Sequence, residues 1–270
     1  MLRHLLCAFL ALADAPPPAA TPPAPAPPAP PAARSLKLLS PEERASLPRP
    51  EFDALFRATP VADLLSLAQG AAEALGTYTV RFTTQERVKG ELLDPHTVQL
   101  TARTTPQAAL LRYVEGPAKG RVVLYDETLR KRELRAREPG FKGLIGALWL
   151  SLDSSLVHGD TNHGVDEVGY GPLVGKLSRD FERSLPFGGH ARTDEGFDAA
   201  GAFCMLYVAP AKATGLYADQ TRLCVDAARG LPARVEVSRK GQLIERFEYQ
   251  DLRPNLSGEE AQITLEAAGL

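Results

Sequence analysis

The densest collection of possible metal ligands in the chain is His158-Gly159-Asp160-Thr161-Asn162-His163, with Asp166 and Glu167 just beyond. Imidazole and carboxylate together suit Zn²⁺. The run lies in a glycine-rich stretch and matches no fixed ligand spacing. His158 and His163 are therefore the candidate ligands, with hydrogen bonding inside a loop as the competing reading, and no metal is assigned. The next stretch, Gly169-Tyr170-Gly171-Pro172-Leu173-Val174-Gly175-Lys176-Leu177, resembles a phosphate loop but breaks its pattern. Tyr170 stands where glycine is needed, Leu177 replaces the Mg²⁺-binding hydroxyl residue, and Pro172 removes a backbone donor. Neither a G-x-S-x-G elbow nor an H-E-x-x-H pair occurs. Glu86, Glu236 and Glu245 fall on alternating segments beside Arg81, Arg87, Arg234 and Arg246, a pattern that cross-strand ion pairs explain. No catalytic residue and no cofactor is assigned, and the expectation is a non-enzymatic protein.

The cysteines lead to the compartment. Cys7 falls in an apolar run, Leu5 to Ala13, that follows Arg3 and His4. This run is far shorter than the roughly 20 residues that cross a bilayer. It has the length of a secretory signal, with Ala11 and Ala13 in the small-x-small pattern of a cleavage site. Residues 1–13 are expected to be a signal peptide. Export leaves Cys204 and Cys224, an even pair in an oxidising compartment, and both lie in strand-like segments. A disulfide between them is expected, contributing about 3 kcal/mol on the chain-entropy account.

Of the 16 residues from Pro16 to Pro31, ten are proline. Such a tract stays near polyproline II and cannot pack a core. Residues 14–35 are read as a disordered tether, residues 36–256 as one domain, and residues 257–270 as a peripheral tail. A net charge of −2 with no basic block gives no footprint for nucleic acid.

The elements that must position any site follow from periodicity. Ser40-Pro41-Glu42-Glu43 carries the signals of a helix start, and Pro48 and Pro50 are expected to end that helix early. A second helix opens at Thr59-Pro60 and places Val61, Leu64, Leu65, Ala68, Ala71, Ala72 and Leu75 on one face, closing at Gly76. The period then switches to two from Tyr78. Strands are expected at 97–104, 107–114, 120–126 and 130–137, and again at 202–209, 219–226, 232–239 and 242–251. Phe141, Leu144, Ile145, Leu148 and Trp149 have helical spacing, and Leu173 to Arg183 reads as a short helix. Val122 to Tyr125 is apolar at consecutive positions, as is most of Phe203 to Val208. Both faces of those strands need cover, by a second layer or by an apolar cavity.

These segments carry a family resemblance. The run Tyr78 to Gly90, then Leu100 to Pro106, then Gly116 to Tyr125, resembles a bacterial family known as domain of unknown function 1571. The similarity continues through His163 and Gly169 to Val225-Asp226, Gly230 to Val237 and Glu245 to Tyr249, and spans roughly residues 60–255. That family looks related to the periplasmic lipoprotein carriers of the LolA type and their outer-membrane receptors. The resemblance implies an α+β fold: a curved antiparallel sheet, an unclosed half-barrel, with helices packed on its concave face.

The expected function is binding of an apolar ligand, a lipid or the acyl chains of a lipoprotein, in the half-barrel of a periplasmic protein. Phe82, Leu111, Tyr113 and Leu124 would contact the ligand from the strands. Phe141, Leu148 and Trp149 would form a helical lid. An envelope interaction protein with a protein partner and no lipid is the alternative, and a metal-dependent hydrolase centred on His158 and His163 is a third reading. The chain is not expected to span a membrane. Association with the outer membrane is left open.

Overall fold

The computed structural model describes residues 35–270, apart from the side chains of Lys142, Leu144 and Ile145. The expected signal peptide, and the tether up to residue 34, lie outside the described residues.

Antiparallel strands build a single open sheet. They are β1 (Thr77–Val88), β2 (Glu91–Leu92), β3 (His96–Arg103), β4 (Ala108–Glu115), β5 (Val122–Asp126), β6 (Glu133–Arg137), β7 (Leu148–Ser151), β8 (Ala191–Phe197), β9 (Ala202–Val208), β10 (Gln220–Asp226), β11 (Pro232–Arg239) and β12 (Gln242–Arg253). Their order is β7-β6-β5-β4-β3-β1-β12-β11-β10-β9-β8, with β2 beside β1. The sheet is curved and half-barrel-like, and β7 and β8 are its two unpaired ends. Two meanders thus meet where the last strand, β12, returns beside the first. Register shifts in β1, β3, β8, β10 and β11 interrupt the ladder, and such bulges increase local bend and twist.

Helices fill part of the concave side. α1 (Pro41–Ser46) starts with the expected capping box, in which the Glu43 N–H donates to Ser40 Oγ at 3.2 Å and the Ser40 N–H donates to Glu43 Oε2 at 2.7 Å. Pro48 and Pro50 do end α1, but they also open a helix the sequence reading lacks, α2 (Arg49–Ala58). Pro50 sits in its first turn, where a missing N–H costs nothing. α2 buries Phe52 and Phe56 against the sheet, with the Phe56 and Phe203 rings 4.4 Å apart. α3 (Val61–Glu73) buries Leu64, Ala68 and Ala72, the four-residue spacing of one helix face. α4 (Tyr170–Ser184) is longer than expected and starts at Gly169, whose φ is +105°. A Cβ there would lie 2.5 Å from the Tyr78 hydroxyl, which accepts a hydrogen bond from the Tyr170 N–H at 3.1 Å. Glycine is required by both the backbone angle and the close approach.

The consecutive apolar residues of β5 divide between two layers. Val123 and Tyr125 face the concave core, whereas Val122 and Leu124 pack on the opposite face with Ala108, Leu110, Ile263 and Ala268. The C-terminal segment, with α5 (Leu265–Ala268), therefore covers the convex side and is not peripheral. Arg112 donates to the carbonyls of Ala267 and Ala268, and Arg137 donates to that of Gly269 at 2.6 Å. Cys204 and Cys224 are direct partners on β9 and β10 and are joined by the expected disulfide.

The segment expected to form a lid helix does otherwise. Residues Gly140–Ile145 make a short 3₁₀ turn, and β7 follows as an edge strand on β6. Gly140 and Gly146, at φ +60° and +85°, break any continuous helix here.

Candidate functional site

The concave side is only partly filled. A cavity of about 330 Å³ remains between the first meander, β12, α4 and the segment 156–169. Val98, Leu111, Val123, Leu134, Phe247 and Tyr249 supply much of its apolar wall. Its other end is polar, with Glu86, His96, Tyr113, Arg121, His163 and Lys176.

Of the residues expected to meet a ligand, Phe82, Leu111 and Tyr113 line this cavity. Leu124 does not. It is 0% exposed, but under the C-terminal segment on the convex face, because odd-numbered residues of β5 point inward. Phe141 is 88% exposed and Leu148 47%, and neither lines the cavity. Trp149 alternates outward on β7, where the guanidinium groups of Arg130 and Arg135 lie 4.4 and 5.3 Å from its ring. The helical lid is thus absent. The segment 156–168 lies over the cavity in its place, contributing Leu156, Val157, Val165 and Val168.

Charged contacts pin that segment to the sheet. Arg121 bonds Asp160 at 2.7 Å and lies 2.9 Å from Glu138, with its guanidinium 5.3 Å from the Tyr113 ring. Glu86 on β1 accepts from the Thr161 hydroxyl at 2.8 Å and from the Asn162 N–H at 2.6 Å. His163 then inserts between strands and helix. Its Nδ1 is 2.7 Å from Glu167 Oε2, and its Nε2 is 2.9 Å from Glu245 Oε1. Lys176 Nζ, from α4, is 3.3 Å from the same Glu167 oxygen. The Tyr217 hydroxyl donates to Glu245 Oε2.

The electrostatics follow from this geometry. Burial opposes a charge on His163, but the Glu167 and Glu245 carboxylates outweigh it and push the imidazole up to about 9. The hydrogen bond from His163 holds Glu167 down to about 2, against its own burial and with help from the Lys176 charge. His96 goes the other way. Burial lowers it, and its Nδ1 is buried without a hydrogen-bond partner among the described residues.

Glu86, His163 and Glu245 each present a ligand atom within 4.8 Å of the others. The sequence pairs His163 with His158 as candidate ligands, but His158 instead bonds the Leu152 carbonyl at 2.9 Å. The alternation of charges also predicts ion pairs with arginine for Glu86, Glu236 and Glu245. Glu236 behaves so, 3.0 Å from Arg246. Glu86 and Glu245 have no arginine partner among the described residues: Glu86 lines the cavity and accepts from Thr161, and Glu245 lies against His163. Strand parity carried that signal: Glu86 shares its face with Phe82, and Glu245 shares its face with Phe247 and Tyr249.

The family described as protein of unknown function DUF1571 matches residues 75–263. The chain belongs to this family. The DUF1571 match begins just before β1 and runs beyond β12 into the C-terminal segment, so it takes in the whole sheet and every residue of the cavity wall named above. No curated protein matches the chain. Among solved structures, a LolA superfamily protein from Nitrosomonas europaea is similar at 11% identity and a TM-score of 0.35, covering 76% of this chain and 98% of its own. Lipoprotein LppX of Mycobacterium tuberculosis is similar at 14% identity and 0.41, covering 73% and 99%. An uncharacterized conserved protein from Thermus thermophilus is similar at 10% identity and 0.41, covering 73% and 88%. Likenesses at these values carry no activity to this chain. Among the described residues, no helix is long and apolar enough to cross a membrane.

Proposed function

We propose that this chain is a non-enzymatic periplasmic binding protein whose half-barrel cavity takes one amphipathic lipid or acyl chain. The cavity itself carries the reading. It is a space of about 330 Å³ with an apolar wall and a charged end. That volume lies at the lower end of the range of about 300–1,000 Å³ typical of ligand pockets. The wall would take the hydrocarbon, and the end bearing Arg121 and Lys176 would face a polar head. Each CH₂ removed from water contributes about 0.8 kcal/mol, so a chain of moderate length offsets the cost of association. The signal-like run Leu5 to Ala13 supports the compartment.

Native mass spectrometry of the chain recovered from a periplasm without detergent tests this. Extra mass that dissociates as a fatty acid or phospholipid is the expected result. A bare mass, together with no uptake of a fluorescent fatty acid by delipidated protein, would overturn the reading in favour of an interaction protein.

A further inference from the structure

Glu86 and Glu245 are register partners on β1 and β12, and both are buried. Two like charges directly opposite in a sheet repel unless something cationic lies between them. His163 is the group that reaches them, and its contacts have an unusual asymmetry. Nδ1 lies 2.7 Å from the Glu167 carboxylate, an acceptor that favours a proton on that nitrogen, and 3.2 Å from Lys176 Nζ. Nε2 is buried and makes no hydrogen bond, although Glu245 Oε1 is only 2.9 Å away. The carboxylate oxygen therefore lies near the ring nitrogen but off the line of an N–H bond. Ligand atoms held about 2.0–2.1 Å from one ion stand roughly 3 Å apart without bonding each other.

The surroundings match a coordination site as well. A carboxylate on the far nitrogen is how ligating histidines are usually oriented. The Glu86 carboxylate is fixed by the Thr161 hydroxyl and the Asn162 N–H, and Glu245 Oε2 is fixed by Tyr217. An ion at Nε2 displaces the proton there, and three carboxylates then face the single charge of Lys176, a balance that one dication neutralises.

We propose that His163 Nε2, Glu86 and Glu245 bind one divalent transition-metal ion, Zn²⁺ in preference to Ca²⁺. The ion clamps residues 161–167 to β1 and β12 at the polar end of the cavity. The imidazole selects against hard cations, which take oxygen ligands alone. This site stands whether or not the cavity takes a lipid.

The test is calorimetric titration of Zn²⁺, with Ca²⁺ in parallel, into the full chain after removal of metal by a chelator. Circular dichroism establishes that each sample is folded. One Zn²⁺ per chain is expected, with Ca²⁺ at least 100-fold weaker, and a melting temperature that rises with added Zn²⁺. His163→Ala and Glu245→Gln should each lose at least 100-fold in affinity. Glu167→Gln, which leaves all three ligands in place, should lose 10- to 100-fold. His158→Ala should bind as the parent does. No stoichiometric Zn²⁺ binding by the folded parent would overturn the proposal. So would binding that survives both His163→Ala and Glu245→Gln, or that His158→Ala removes.

Discussion

Glu86 and Glu245 stand directly opposite each other on adjacent strands, 6% and 3% exposed, and Glu86 lines the polar end of an otherwise apolar cavity. Glu86 accepts from Thr84, Thr161 and Asn162, and Glu245 accepts from Tyr217, with His163 Nε2 2.9 Å away. Removing the Glu86 carboxylate strands the Thr161 hydroxyl and the Asn162 N–H. Glu86→Ala in metal-free protein should therefore lower stability by about 2–3 kcal/mol. Glu86→Gln, which keeps one acceptor, should cost less. Urea unfolding midpoints check both values, and equal losses in the two variants would show that these hydrogen bonds contribute little.

Neighbouring residues of the first meander should give opposite phenotypes. Leu111 lines the cavity, whereas Leu124 packs beneath the C-terminal segment on the other face. Leu111→Trp should fill the cavity and weaken a fluorescent fatty-acid probe by tenfold or more. Leu124→Ala should cost about 2–5 kcal/mol of stability and leave probe affinity unchanged at a temperature where the protein is folded. Probe titration and chemical unfolding of the two variants separate the faces.

The Cys204–Cys224 bridge joins β9 and β10 on the side of the sheet away from the Phe203 core. Its loss should lower stability by about 3 kcal/mol. Reduced protein, or Cys204→Ala with Cys224→Ala, should show this in unfolding curves while keeping the affinity of the probe. A matching loss of probe affinity in folded, reduced protein would place the bridge in the binding machinery.

His96 supplies a pH dependence. Burial lowers its imidazole pKa, with Asp160, Glu86 and Asp94 opposing that shift and Arg121 adding to it. The unfolded chain therefore binds this proton more readily than the folded one. The stability tied to a neutral His96 is fully present above about pH 6.5 and is lost as the pH falls through the lower folded value. The difference in unfolding free energy between the parent and His96→Gln should shrink as pH falls from 7.5 toward 5. A difference that is flat over that range would remove His96 from the acid response.

Local pattern determined much of this protein. Alternation, continuous apolar runs and turn signals marked nine of the strands, and the box at Ser40 and Glu43 marked the start of α1. The pair Cys204 and Cys224 announced its own bridge. Of the strands missed, β7 and β8 are edges: short in one case and polar in the other, with less apolar alternation to read. Parity even shows that Glu86 and Glu245 share faces with buried aromatic residues. What parity cannot show is which distant strand lies alongside. β12 returns beside β1, the C-terminal segment covers Leu124, and residues 161–163 reach across to both carboxylates. Those neighbours are set by packing of the whole chain, because a strand's own sequence fixes the face each side chain takes but not the partner it meets there.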